Sequence, residues 1–290
     1  MKPVHRPNRV TPRVRYTPDN QLKDPIGLFR QMGRDLLASR ELAWRLMVRN
    51  ISAQYRQSIL GVAWAVLPAV LTAAIFTAAS SAKVVNLGTT DLPYPAYVAF
   101  SMTLWQTFVE ALQGPSMAVA SSKGMMAKIN FPREAIILAK LGEVLFNFSI
   151  KLILIVLIFL VFRIPVGWSA LLAPVGLIHM VMLGTAVGLL IAPMGGLYQD
   201  FNKGITLAST VWMFATPVLY AKPFTGTFAE VVKYNPVTPL LITTRELATT
   251  GIISNPQGFW ISSALAFFGL LLAWLVYRLS MPFVIERISS

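Results

Sequence analysis

Glu143, Asn147 and Lys151 recur at four-residue spacing inside an otherwise apolar run, which places them on one stripe of a helix. Ionisable groups in such a run either line a polar path or meet partners on neighbouring helices. Both readings stand at this point. Thr103, Gln106 and Glu110 form a second polar stripe. If these groups take up ions or protons, Glu110, Glu143 and Lys151 would make an ion- or proton-coupled secondary transporter. Aromatic residues offer a different chemistry. Tyr97, Trp105 and Phe108 share one helical face with Ser101 between them, and Trp212 and Phe214 stand just before Pro217 and Tyr220. Flat rings stack on the apolar C–H faces of sugars, although membrane cores and interface belts use the same residue types.

Other chemistries are excluded. There is no cysteine, so no disulfide or thiolate catalysis, and His5 and His179 alone cannot build a zinc site. No GxxxxGK[ST] loop occurs, so ATP is not hydrolysed here by the P-loop route. The metalloprotease HExxH and the Gly-x-Ser-x-Gly elbow are also missing. A membrane-embedded glycosyltransferase would need acidic metal or catalytic motifs that this sequence lacks. No metal or cofactor is expected in this chain.

The elements that position these residues follow from composition. Of 290 residues, 55% are hydrophobic and 13% charged, about half the charge of a soluble domain. The stretches from Arg56 to Lys83, Arg163 to Asp200, Lys203 to Lys222 and Glu246 to Arg278 contain no charged residue between their ends. Each reaches the roughly 18 residues of a spanning helix. The pattern predicts six spans, over 60–82, 95–112, 136–162, 168–197, 205–220 and 259–277. Residues 1–34 form an expected disordered basic arm, rich in proline and arginine. An amphipathic helix is expected over 35–59, with Trp44, Met47, Val48, Ile51, Tyr55 and Ile59 on one face and Arg34, Arg45, Arg49 and Arg56 on another. Six spans put both termini on one side. Segments on that side hold 19 lysines and arginines against five on the other, so both termini are expected in the cytoplasm. The net charge of +13 then reports topology and anionic membrane lipid, and nucleic acid is not an expected partner. Gly184 and Gly188 predict close helix packing.

Four ordered stretches carry a resemblance. They are the run from Gln54 to Pro68; Asn130-Phe131-Pro132-Arg133-Glu134; Tyr198-Gln199-Asp200-Phe201 leading through Trp212 to Pro217-Val218-Leu219-Tyr220; and Asn235-Pro236-Val237-Thr238-Pro239 followed by Thr244-Arg245-Glu246. Together they resemble the permeases of ATP-binding-cassette polysaccharide exporters, the type-two exporter group that moves lipid-linked O-antigen, teichoic acid and capsule-like glycans. The resemblance covers Asp35 to Arg287. It departs at Gln199, where the family often has arginine, so no salt bridge is expected there.

The resemblance implies an all-α polytopic protein of the bacterial cytoplasmic (inner) membrane that works as two permease copies with two ATPase subunits, the latter binding ATP and Mg. The helix over 35–59 would be the interface helix, and 60–287 the transmembrane domain. A coupling helix over 121–133 would dock on the ATPase through Lys123, Met125, Met126, Lys128, Ile129, Phe131 and Arg133. Residues 224–249 would form short external re-entrant gate helices, with Phe224, Phe228, Tyr234 and Arg245. A lipid-linked polysaccharide would pass through a channel at the dimer seam lined by Trp64, Tyr97, Trp105, Phe108, Trp212 and Phe214.

Overall fold

The computed structural model describes residues 25–56, 58–82, 88, 90–221 and 226–289. Among them are ten α-helices, two 3₁₀ turns and no strand. Most of the expected basic arm, and Phe224 of the expected gate, lie outside the described residues. The arm's boundary needs correction: α1 spans Pro25–Arg56, beginning ten residues before Asp35. Leu28, Met32, Ala43 and Leu46 are buried along one stripe, so the apolar period extends further back than the sequence reading had it, and Pro suits a first helical position.

After α1 the chain turns through Gly61–Ala65, a 3₁₀ turn with Gly61 at φ 49, a conformation costly for any residue with a Cβ. Ser58 Oγ accepts the Gly61 N–H at 3.0 Å. Then follow α2 (Leu67–Ser81), α3 (Tyr94–Ser121), α4 (Lys123–Lys128), α5 (Glu134–Val161), a 3₁₀ turn (Trp168–Leu172), α6 (Ala173–Leu197), α7 (Gln199–Phe214), α8 (Thr227–Tyr234), α9 (Val237–Ala248) and α10 (Pro256–Ser289).

Three segments, Glu134–Val161, Trp168–Leu197 and Pro256–Ile288, are long and apolar enough to cross a membrane. Two expected spans are shorter than the sequence suggested: α2 has 15 residues and α7 has 16, or about 22–24 Å at ~1.5 Å per residue. Helix α7 stops at Phe214, and residues up to Tyr220 form turns around Pro217, a residue that cannot continue the hydrogen-bond ladder.

Helix α6 is the hub. It packs against α3 on one side and α10 on the other, and α9 crosses it near its start. Glycines permit this. A Cβ on Gly184 would meet the Phe108 carbonyl oxygen at 2.7 Å, and one on Gly188 the Leu112 carbonyl oxygen at 2.3 Å. The helices touch backbone to backbone, as the small-residue spacing predicts. On the outer face of α5, Ile153, Leu157, Leu160 and Val161 are exposed, as are Ile261, Phe268 and Leu272 on α10. Such surfaces are stable against lipid chains and costly against water.

Candidate functional site

Helix α3 packs against α2, α5, α6, α7 and α9, and from Ala96 to Ser116 nearly all of it is buried. The exceptions are Gln106, Val109, Glu110 and Gln113, spaced i, i+3, i+4 and i+7, so they make one face. This open face borders a cleft of about 450 Å³ whose other walls include Trp64 and Pro68 near the start of α2, Asn147 of α5, and Thr206, Thr210 and Met213 of α7. Polar side chains thus face one another from α3 and α7, both otherwise apolar in their surroundings. Gln113 Nε2 reaches Thr206 Oγ1 at 3.4 Å and Ser209 Oγ at 3.5 Å, both long contacts. Gln106 Nε2 is buried without an acceptor among the described residues. Glutamines facing hydrocarbon would leave amide groups unsatisfied at a cost of several kcal/mol each. The cleft is therefore built for water or for a polar solute.

Behind this face lies a charge pair. Lys151, 1% exposed, donates its Nζ to Glu110 Oε1, and Glu110 is 31% exposed at its side chain. Asn147 Nδ2 donates to the other Glu110 oxygen at 3.2 Å, and Tyr55 of α1 donates its hydroxyl to Asn147 Oδ1 at 2.8 Å. One turn back along α5, Glu143 accepts from Lys140 Nζ at 2.6 Å and from Asn50 Nδ2 at 2.7 Å. The α5 stripe therefore meets partners on neighbouring helices, and its outermost link, Glu110, reaches the cleft. Burial, with the negative charge of Glu110 adding, raises the Tyr55 phenol above its usual range, so it remains a donor at physiological pH. Thr103 does not belong to the open stripe. It is fully buried and its hydroxyl donates to the Ala99 carbonyl. Gln113 takes its place.

The six expected channel residues separate. Trp64 is 57% exposed at the cleft, whereas Trp105, though it lines the cleft's inner wall, is buried at 3% exposure. Tyr97 and Phe108 are corrected: at 1% and 0% exposure they lie in the core. They share a face with Trp105, but that face packs on α6, α7 and α9. The Tyr97 hydroxyl donates to the Pro217 and Tyr220 carbonyls. Phe108 stands edge-on to Trp212 at 5.4 Å and packs against Trp105 at 5.2 Å, supporting the wall from behind. Trp212 borders a second cavity of about 640 Å³ with Glu230 and Tyr234 of α8, while Phe214 is exposed on a different face of α7.

At the end carrying α8 and α9, Phe228 and Tyr234 are exposed. Arg245 is not a surface residue: it is buried, donates to Ser101 Oγ at 2.9 Å and lies 4.1 Å from the Tyr97 ring centroid. It fastens α9 to α3. Sequence reasoning missed the role of Asn235. It accepts the Trp212 Nε1–H and the Val237 N–H, both at 3.0 Å, and donates to the Ala215 carbonyl and Thr216 Oγ1. The Asn-Pro of the fourth motif is a polar knot tying the α8–α9 corner to the end of α7.

At the opposite end, α4 exposes Lys128, followed by Ile129 at 60% exposure, and Lys123, Met125, Phe131 and Arg133 are half-buried. Met126 is corrected: it is buried against the α1, α5, α6 and α10 cluster. A second missed feature holds this end together. Arg278 of α10 donates to Glu134 Oε1 at 2.8 Å and to Asp35 Oδ2 at 2.6 Å, joining three helices beside a cavity of about 160 Å³ lined by Phe131 and Arg133. Only the acidic residue inside the second motif hinted at it, because Asp35 and Arg278 are far apart in the chain.

Comparison with known proteins extends this geometry. The profile of the family described as ABC-2 type transporter matches residues 41–247. The O-antigen export system permease protein RfbA of Myxococcus xanthus is 25% identical over 191 residues, 64% of this chain and 71% of that protein. The protein of the same name from Klebsiella pneumoniae is 21% identical over 212 residues, 71% of this chain and 79% of that protein.

Proposed function

This chain belongs to the ABC-2 type transporter family, and from that premise we propose that it is the permease subunit of an exporter for a lipid-linked, O-antigen-like polysaccharide. The observation that carries the reading is the polar, tryptophan-edged cleft cut into helices that otherwise bury or expose hydrocarbon. Amides and hydroxyls exchange hydrogen bonds with sugar hydroxyls, and the exposed Trp64 ring can stack on sugar C–H faces, so a polymer meets no deep trap. Helix α7 exposes Leu207, Val211 and Phe214 beside this cleft. A second copy covering that stripe would close two clefts into one channel at the dimer seam.

In this reading the chain crosses the inner membrane six times with both termini cytoplasmic, α2, α3 and α7 completing the set begun by α5, α6 and α10. The lipid-surface role falls to α1, whose Leu37, Trp44 and Val48 are exposed on one stripe. Helix α4 and the Lys128–Ile129 corner couple to a separate ATPase that binds ATP and Mg, and α8 and α9 gate the outer mouth. ATP binding would then shift the equilibrium between two permease states through different affinity for each. Ion coupling through Glu110 or Glu143 is the weaker reading, because each carboxylate already accepts from a lysine.

The test is coexpression with a candidate ATP-binding-cassette ATPase subunit from the same genome. The expected result is a copurifying complex of two permeases and two ATPases whose hydrolysis depends on the ATPase chain. Hydrolysis by the permease alone, or transport that persists when ATP is depleted and stops when Glu110 is neutralised, would overturn the proposal.

A further inference from the structure

The cleft also says which glycans it suits, an inference that rests on the reading above and refines its substrate. The sequence holds 25 lysines and arginines, yet among the described residues none lines the cleft. Its one ionisable wall group is an acid, Glu110. The cation nearest to it, Lys151, is sealed behind the wall and already donates to that carboxylate. Cations do border the neighbouring cavity of about 370 Å³: there Lys140 is paired with Glu143, whereas Arg49 bonds only the neutral Asn50 Oδ1 and keeps its charge, outside the wall of the cleft. A carboxylate has about four lone-pair sites. Lys151 and Asn147 take one each, leaving acceptor capacity toward the opening. Beside it Gln113 supplies both donors and an acceptor, whereas the Gln106 Nε2 is buried in the wall.

We propose that this ladder, Gln106, Glu110 and Gln113 on α3, selects a neutral, polyhydroxylated glycan segment and rejects polyanionic ones. A hydroxyl can donate to Glu110 and accept from Gln113. A sugar carboxylate or phosphodiester can accept from Gln113 but has no proton to donate at the central rung. It meets a like charge there, finds no cation with which to pair, and loses hydration on the way in. Rejection by an unpaired or repelled charge is a stronger discriminator than any gain from one more contact.

The absence of cysteine permits a local readout. In the Thr210→Cys chain in lipid nanodiscs, which leaves the ladder intact, a water-soluble maleimide should label Cys at that exposed position of the cleft wall. Maltoheptaose should slow the labelling, and oligogalacturonate of equal length and concentration should protect less by about tenfold or more, as expected for a like-charge contact. Adding Glu110→Gln with Lys151→Met, which removes both charges together, should bring the two oligomers to similar protection. Equal or better protection by oligogalacturonate, or no protection by either, overturns the inference while leaving a wet cleft intact. If the maleimide cannot reach position 210 at all, the wet-path reading fails with it.

Discussion

Removing the two members of the Lys151–Glu110 pair singly should have unequal effects. In Glu110→Gln, Lys151 remains buried with only neutral acceptors, and breaking a buried pair from one side costs about 3–5 kcal/mol. The glutamine carbonyl retains one acceptor, so about 3 kcal/mol is expected. In Lys151→Met, Glu110 keeps the Asn147 donor and is partly open to the cleft, so water replaces much of what is lost and about 1–2 kcal/mol is expected. The double variant replaces the pair with neutral groups of similar size, which is often close to neutral. At about 2–4 °C per kcal/mol for a chain of this size, the apparent Tm should fall by roughly 6–12 °C, 2–8 °C and only slightly, in that order. Full-length protein in detergent, heated and then scored by its remaining monodisperse peak on gel filtration, reads all three. If Lys151→Met falls as far as Glu110→Gln, Glu110 does not open onto water. If the double variant falls by the sum of the singles, the two groups are not coupled.

Gly188→Ala should destabilise by about 1–3 kcal/mol, because the new Cβ would meet the Leu112 carbonyl oxygen and the Pro115 ring. Gly142→Ala should cost less, since its nearest neighbour is the movable end of Met47; the same gel-filtration assay separates the two. Arg278→Met strands Glu134 in the interior and should cost about 3–5 kcal/mol, whereas Asp35→Asn, at a half-exposed partner, should cost clearly less. Ile129→Ala should weaken copurification with the ATPase and leave thermal stability unchanged. Met126→Ala should do the reverse at first, losing about 2–5 kcal/mol of packing. Arg245→Lys loses the planar stack on Tyr97 and should lower stability by about 1–2 kcal/mol.

Much was legible in the sequence because hydrophobic periodicity and helix-breaking residues act locally. The apolar runs, the amphipathic α1, the glycine-mediated α3–α6 contact and the four ordered motifs are all properties of residues a few positions apart. So is the lack of a GxxxxGK[ST] loop. Those features determine that the chain is helical and membrane-embedded. Tertiary structure decided which polar and aromatic groups face what. Trp64 and Tyr97 were both expected at the channel, yet Trp64 stands exposed at the cleft while Tyr97 is sealed under α9 and the end of α7. Gln113 replaced Thr103 on the open stripe because neighbouring helices, not spacing, set its boundary. Lys151 finds Glu110 across 41 positions and Arg278 finds Asp35 across 243. Such pairs depend on how helices dock, and a charge in hydrocarbon is stable only where that docking delivers its partner.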